Sequence, residues 1–164
     1  MLTIFYFTRG NHDSFDVHSF SDKSNYFRTH SGVSEGRGQA HSSSYLTTLH
    51  HEGTNYSFIA VDATLSPGPK KVFNFLGYLT EEKLAELSRL TKQAKVTSDS
   101  TVYFGHFPTS CIVSDVAVTE MMSGGLVYLS GHLHTLGGLA PQLYTLHHSG
   151  TPELELADWK ENRR

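Results

Sequence analysis

The sequence has little cysteine, little charge and no long apolar run, and each shortage excludes a class of protein. The single cysteine, Cys111, cannot form an internal disulfide, and it follows Ser110 in a context typical of a small buried side chain rather than a nucleophile. No apolar run approaches the roughly 20 residues that a membrane-spanning helix needs. The 164 residues are therefore expected to form one globular domain, without disulfides and without a membrane span.

An excess of positive charge is also missing. Lysine and arginine number 13 against 16 aspartate and glutamate residues, which gives a net charge of −3. A surface that binds the phosphate backbone of a nucleic acid needs the opposite balance. The charge therefore predicts that nucleic acid is not a partner through electrostatics.

The hydrophobic pattern predicts an α/β fold with several short strands and one clear helix. The helix is predicted over 81–95, where Thr80 can cap its start and Leu84, Leu87, Leu90 and Ala94 share one face. Shorter helices are predicted over 21–27 and 115–123, and a glycine- and serine-rich loop over 32–44. Strands are predicted at 2–7, 45–50, 56–62, 101–104, 126–130, 144–147 and 154–157.

Two histidines follow the strand predicted at 126–130. His132 and His134 come directly after Gly131, and side chains at positions i and i+2 of an extended backbone lie on one face. Two neutral imidazoles aimed at one point can bind a metal ion. The chain holds 11 histidines, so a surface pair of this spacing is the alternative interpretation.

The same construction occurs twice more in the chain. The strand predicted at 2–7 leads to Gly10, Asn11 and His12, and the strand predicted at 101–104 runs into His106. In open α/β folds, ligand sites lie outside the carboxyl ends of the strands. Three neighbouring strand ends would bring these side chains to one metal site. Neutral oxygen and nitrogen ligands suit Mn²⁺, Fe or Zn²⁺ better than Ca²⁺ or Mg²⁺.

These motifs carry a family resemblance. Gly10-Asn11-His12-Asp13, Gly105-His106 and Gly131-His132-Leu133-His134, in that order, resemble the second half of the signature of the calcineurin-like metallophosphoesterases. A closer resemblance, to the phosphoesterase domain of the transmembrane protein 62 family, covers most of the chain after Gly10. It rests on segments 61–70, 131–138 and 153–164.

The resemblance implies a fold, a cofactor and roles for these residues. The fold would be part of a four-layer α/β/β/α sandwich that lacks its first strands, with 1–164 forming the second half of the domain. The complete family site holds two divalent ions that share a bridging hydroxide and bind the phosphoester substrate. Asn11, His106 and His132 would bind one ion and His134 the other. His12 would be the catalytic proton donor at the leaving group, with Asp13 supporting these groups.

The chain departs from the family pattern before Gly10. The family's Asp-x-His and Gly-Asp-x-x-Asp motifs should stand there, but the first nine residues contain no aspartate, glutamate or histidine. Two divalent ions about 4 Å apart repel each other unless carboxylates offset the charge. We therefore expect an N-terminally truncated chain that binds one metal ion or none and is weakly active or inactive, with an apolar sheet edge left exposed.

Two other interpretations stay open at this point. The chain can be a non-catalytic binding or regulatory module, or a truncated product, that kept the fold after losing the metal centre. It can also hold a structural zinc ion, although structural zinc sites commonly use thiolates. The resembled full-length family is membrane-associated, which concerns the parent protein rather than a span within this chain.

Overall fold

The computed structural model describes residues 8–14, 17, 25, 27, 44–65, 75–114, 118–133 and 144–156. Within them, six strands form one sheet in the order β1-β2-β4-β6-β8-β7. The inner strands are parallel to one another, and the edge strands β1 and β7 are antiparallel to their neighbours. The sheet strands are β1 Tyr45–His51, β2 Thr54–Val61, β4 Ser100–Gly105, β6 Val127–Ser130, β7 Tyr144–Leu146 and β8 Pro152–Glu155.

A second, two-stranded parallel sheet pairs β3 with β5, and the described residues also include two α-helices and two 3-10 turns. Strand β3 spans Gly77–Leu79 and β5 spans Ile112–Ser114. Helix α1 spans Glu81–Thr97 and the short helix α2 spans Val118–Met121. The α/β fold class predicted from the sequence is therefore confirmed.

The sequence of helix α1 explains where the helix begins and which of its faces is buried. The Thr80 hydroxyl accepts a hydrogen bond from the Lys83 backbone N–H at 3.3 Å, and two glutamates occupy the positive end of the helix dipole. The predicted apolar stripe is buried against the sheet. It consists of Leu84, Leu87, Leu90 and Ala94, which are each at most 5% exposed.

Alternate residues of the inner strands complete the core beneath α1. Ile59 on β2, Tyr103 on β4 and Tyr128 on β6 are almost fully buried on the same face. The Tyr103 hydroxyl donates to Thr91 of α1 at 3.2 Å, which satisfies a polar group that burial would otherwise penalise. Burial of this face aligns the three strands, so that their carboxyl ends lie at one edge of the sheet.

Several predicted elements shift or lie outside the described residues. The turn of the β1–β2 hairpin is shorter than predicted, because Glu52 and Gly53, both with positive φ, form a two-residue turn whose twist matches the strands. The last strand is Pro152–Glu155 rather than 154–157, and β3 and β5 had no periodic signal to reveal them. The strand predicted at 2–7, the helix predicted at 21–27 and nearly all of the loop at 32–44 lie outside the described residues.

The two edge strands carry exposed apolar side chains. Tyr144 and Leu146 on β7 are each 64% exposed, and Leu49 on β1 is 49% exposed. Exposed apolar edge strands favour association between chains, which stays a prediction for this chain.

Candidate metal centre

Three loops meet at the carboxyl edge of the parallel strands. Asp62 follows β2, His106 follows β4, and Gly131 and His132 follow β6. The Gly131 backbone N–H donates to the His106 carbonyl at 3.0 Å and so ties two of these loops together. The segment that contains Asn11 contacts the same edge, as the following distances show.

The structure brings Asn11, His106 and His132 together. The Nε2 atom of His106 lies 2.8 Å from Asn11 Oδ1 and 3.0 Å from His132 Nδ1. Two ligands that bind one metal ion at about 2.1 Å and at right angles are themselves about 3.0 Å apart. His106 Nε2 is therefore within hydrogen-bonding distance of both atoms, at a spacing that also suits neighbouring ligands of one metal ion.

The backbone at His132 is held in an uncommon conformation. Its φ is +78°, and the Leu133 N–H donates to the Gly131 carbonyl at 3.0 Å, which closes a three-residue turn around the histidine. A non-glycine residue in this region costs about 1–3 kcal/mol and is found mainly where function requires it. The strain therefore singles out His132 among the described histidines.

A hydrogen bond selects the tautomer of His132. Its Nε2 lies 2.8 Å from the carbonyl oxygen of Phe75, which can only accept, so Nε2 carries the proton. The Nδ1 atom then presents its lone pair toward His106. Metal-binding histidines typically donate their other ring N–H to such a carbonyl.

Close packing behind the two imidazoles fixes their positions. The Phe107 ring is 2% exposed and lies 4.9 Å from the ring of His106 and 4.7 Å from that of His132, centroid to centroid. On the other side, a Cβ added to Gly10 would lie 3.0 Å from the His106 ring. Glycine at position 10 thus lets the Asn11 segment approach the imidazole closely.

A buried ion pair anchors the residue that precedes Gly10. Arg9 is 2% exposed, and its Nη2 donates to Asp62 Oδ2 at 3.2 Å. Its guanidinium also donates to the Thr64 hydroxyl, which in turn donates to Asp62. The Thr64 backbone N–H adds a bond of 2.9 Å to the same carboxylate. The end of β2 therefore holds the Asn11 segment through Arg9.

Lys83 of α1 extends this buried network. Its Nζ donates to the backbone carbonyls of Asp62 at 3.1 Å and Thr64 at 2.6 Å. Burial lowers the pKa values of Arg9 and Lys83, and the negative charge of Asp62 opposes both shifts. One carboxylate thus stabilises two buried cations, which makes Asp62 the electrostatic centre of the network.

The remaining predicted site residues have different surroundings. Asp13 Oδ2 accepts a 2.9 Å hydrogen bond from the Gly10 N–H, so this carboxylate closes the turn that carries Asn11. His12 lies beside Asn11 on a 3-10 turn, His12–Ser14, and is exposed. His134 lies outside the described residues.

The donor set fits one divalent ion better than two. Asn11, His106 and His132 supply one amide oxygen and two imidazoles, all uncharged as ligands. Among the described residues, no group of three or more histidine, cysteine, aspartate or glutamate side chains is arranged to hold a metal ion. The nearby carboxylates of Asp13 and Asp62 have the partners named above, so this part of the chain offers no carboxylate to bridge two ions.

Of the residues that support this centre, only Asp13 could be assigned a supporting role from the sequence. Arg9 gives no motif signal, and its partner Asp62 is 53 positions away, so neither could be paired from spacing. The position of Asp62 at the end of a predicted apolar strand was the available signal. Phe75 contributes only a backbone carbonyl, which side-chain identity does not reveal.

Comparison with known proteins suggests a metallophosphoesterase-like family. The chain is 44% identical to mouse (Mus musculus) transmembrane protein 62 over 158 residues, which cover 95% of this chain and 23% of that protein. It is also 31% identical to an Arabidopsis thaliana protein whose name assigns it provisionally to the metallophosphoesterases. This match extends over 159 residues, which cover 90% of this chain and 20% of that protein. No family model matches the sequence.

The chain spans less than a quarter of the length of each of these curated relatives. Their names therefore describe proteins several times longer than the part that is alike. Across the described residues, no helix is both long enough and apolar enough to cross a membrane.

Proposed function

We propose that this chain is the second half of a metal-dependent phosphoester hydrolase domain. The observation that carries the proposal is the convergence of Asn11, His106 and His132, with donor atoms 2.8 and 3.0 Å apart, at the carboxyl edge of a parallel sheet. The likeness to a protein named as a metallophosphoesterase supports the same conclusion. In this proposal residues 1–164 form part of a four-layer α/β/β/α sandwich.

The proposed centre assigns a role to each predicted residue. Asn11 Oδ1, His106 Nε2 and His132 Nδ1 would hold one divalent ion, and His134 would contribute to a second in the complete family site. A bound Mn²⁺, Fe or Zn²⁺ ion would polarise the phosphoryl oxygens and lower the pKa of the attacking water. His12 would donate a proton to the departing alcohol, for which its exposed position beside Asn11 leaves room.

The surrounding residues would hold these groups in place. Asp13 closes the turn at Gly10, Arg9 ties that turn to Asp62, and the Phe75 carbonyl keeps the proton of His132 on Nε2. Such support keeps ligands oriented without reorganisation when a substrate binds. The absence of carboxylate ligands among the described residues predicts single-metal binding and weak hydrolysis by the isolated chain. The relative named transmembrane protein 62 supports a membrane-associated parent protein.

Hydrolysis of bis(p-nitrophenyl) phosphate in the presence of Mn²⁺ tests this function. We expect slow, metal-dependent release of p-nitrophenol. The rate should fall at least about tenfold in His106→Ala, because this variant lacks one of the three proposed ligands of the metal ion. A tenfold loss corresponds to about 1.4 kcal/mol of transition-state stabilisation. His51→Ala is the matched control, because His51 is exposed at the distant β1–β2 turn. His12→Ala should lower the rate without lowering metal affinity.

A non-catalytic binding module is the second candidate function. This candidate is favoured because the described part of the chain contains no cluster of acidic and histidine side chains that could hold a metal ion by itself. A folded chain that neither binds Mn²⁺ through His106 nor hydrolyses the ester would support this candidate over the enzyme. Mn²⁺-dependent hydrolysis that falls in His106→Ala would exclude it.

A further inference from the structure

A cleft of about 450 Å³ lies between the segment that follows β4, helix α2 and strands β7 and β8. This volume is typical of a site for a small ligand. None of its described lining residues belongs to the metal centre. The lining includes Thr109, Ser110, Ser114, Thr119, Glu153 and Glu155.

One wall of the cleft is a carboxylate whose hydrogen-bonding capacity is filled. Glu153 is 5% exposed and accepts from the Thr109 backbone N–H at 2.9 Å, the Thr109 hydroxyl at 2.6 Å and the Ser130 hydroxyl at 3.2 Å. His147 Nε2 lies 2.8 Å from Glu153 Oε2, the oxygen that also accepts from the Thr109 hydroxyl. Glu153 therefore fixes the wall in place and has no further need of a ligand.

Glu155 lines the same cleft but is not satisfied. It stands two residues further along β8, on the same face, and is 7% exposed. Its Oε1 atom is buried and has no hydrogen-bond partner. A buried carboxylate oxygen without a donor costs free energy that a bound donor would recover. The structure thus leaves one unsatisfied acceptor on a side chain that lines the cleft.

The charge of the cleft favours a cation as that donor. Its described lining contains two carboxylates and two imidazoles, and neither lysine nor arginine. A metal ion is disfavoured, because the described residues contain no group of three or more suitable ligands. Hydroxyl groups of Ser110, Ser114 and Thr119 add neutral donors and acceptors to the wall.

We propose that this cleft binds a small hydroxylated organic ammonium compound, whose ammonium group donates to Glu155 Oε1. The hydroxyl groups of the ligand would meet the hydroxyl side chains of the wall. This site is independent of metal binding and of the proposed hydrolase function.

The test uses 2-amino-1,3-propanediol, with glycerol as its uncharged analogue of the same shape. Both compounds are titrated into the ¹⁵N-labelled 164-residue chain in buffer that contains a chelator, and amide chemical shifts are followed. We expect saturable shifts at residues 109–110, 119 and 155, with the amine binding at least about tenfold more tightly than glycerol, a difference of about 1.4 kcal/mol. The chelator separates this outcome from that of the metal centre.

Variants identify the group that binds. Glu155→Gln should weaken amine binding at least about tenfold, while Glu82→Gln, an exposed carboxylate on α1, should leave it unchanged. Thr119→Leu keeps both carboxylates but narrows the cleft, and should also weaken binding. It replaces Glu155→Gln as the test if that variant does not fold. The proposal is overturned if glycerol binds as tightly as the amine, if the shifts map elsewhere, or if a folded Glu155→Gln binds like the wild type.

Discussion

Replacing Asp62 with asparagine removes the negative charge from the buried network beneath the candidate metal centre. The side chains of Arg9 and Asp62 are 1% and 5% exposed, and their charged atoms are 3.2 Å apart. Unit charges at that distance attract by about 5 kcal/mol at an effective dielectric constant of about 20. Breaking one side of a buried pair typically costs about 3–5 kcal/mol, because the other charge stays buried without compensation.

We therefore expect Asp62→Asn to lower the free energy of unfolding by about 3–5 kcal/mol, a large share of the stability of a domain of this size. Urea denaturation followed by circular dichroism measures the loss. The control is Asp99→Asn, whose carboxylate accepts a 2.8 Å bond from the Asn55 N–H at an exposed site and should cost about 1 kcal/mol or less.

A double-mutant cycle shows whether Arg9 is the partner that matters. Arg9→Met combined with Asp62→Asn should cost at least about 1 kcal/mol less than the sum of the two single changes, because the double variant no longer buries Arg9 without its carboxylate partner. A loss below about 1 kcal/mol for Asp62→Asn, or strictly additive single effects, would refute the ion pair as the support of the Asn11 segment.

Two further predictions concern close contacts around the site. Gly10→Ala places a methyl group 3.0 Å from the His106 ring, so the affinity for Mn²⁺, measured by electron paramagnetic resonance, should fall at least about tenfold. An unchanged affinity would show that the position of this ring is unimportant for metal binding. Tyr128→Phe leaves the Phe107 carbonyl without its 2.5 Å hydrogen bond and should lower the free energy of unfolding in urea by about 1–3 kcal/mol. The control Tyr144→Phe changes an exposed tyrosine and should lower it by about 0.5 kcal/mol or less. Burial raises the pKa of Tyr128 well above its ordinary value, so only the unfolded phenol ionises near pH 10. The wild type should therefore lose stability as the pH rises above about 10, and Tyr128→Phe should lose less, whereas equal losses would contradict this assignment.

The carboxyl ends of the strands and the main helix could be predicted because residues close together in the sequence determine them. Thr80 and the apolar stripe of α1 are local signals, and burial of that stripe follows from its period of 3.6 residues. The convergence of the loops at His106 and His132 follows from parallel strands that end at one edge. These features need no knowledge of which distant residues pair.

Features that depend on long-range pairing could not be predicted in this way. The alternation Pro152-Glu153-Leu154-Glu155 normally indicates that the glutamates face solvent, yet both are buried and the two apolar residues are only partly buried. Glu153 tolerates burial because donors from Thr109, Ser130 and His147 surround it, and none of these is near it in the sequence except His147. His147 had no motif that separated it from the other histidines.

Mn²⁺ binding to His132→Gly is the most direct test of the candidate metal centre. Glycine accepts the φ of +78° without strain, so this variant removes the imidazole and is expected to stay within about 1 kcal/mol of wild-type stability. We predict one saturable Mn²⁺ ion per wild-type chain, its loss in His132→Gly and His106→Ala, and its retention in His148→Ala, which changes an exposed histidine. Binding that survives in a folded His132→Gly chain, or that depends equally on His148, would contradict the assignment of the centre.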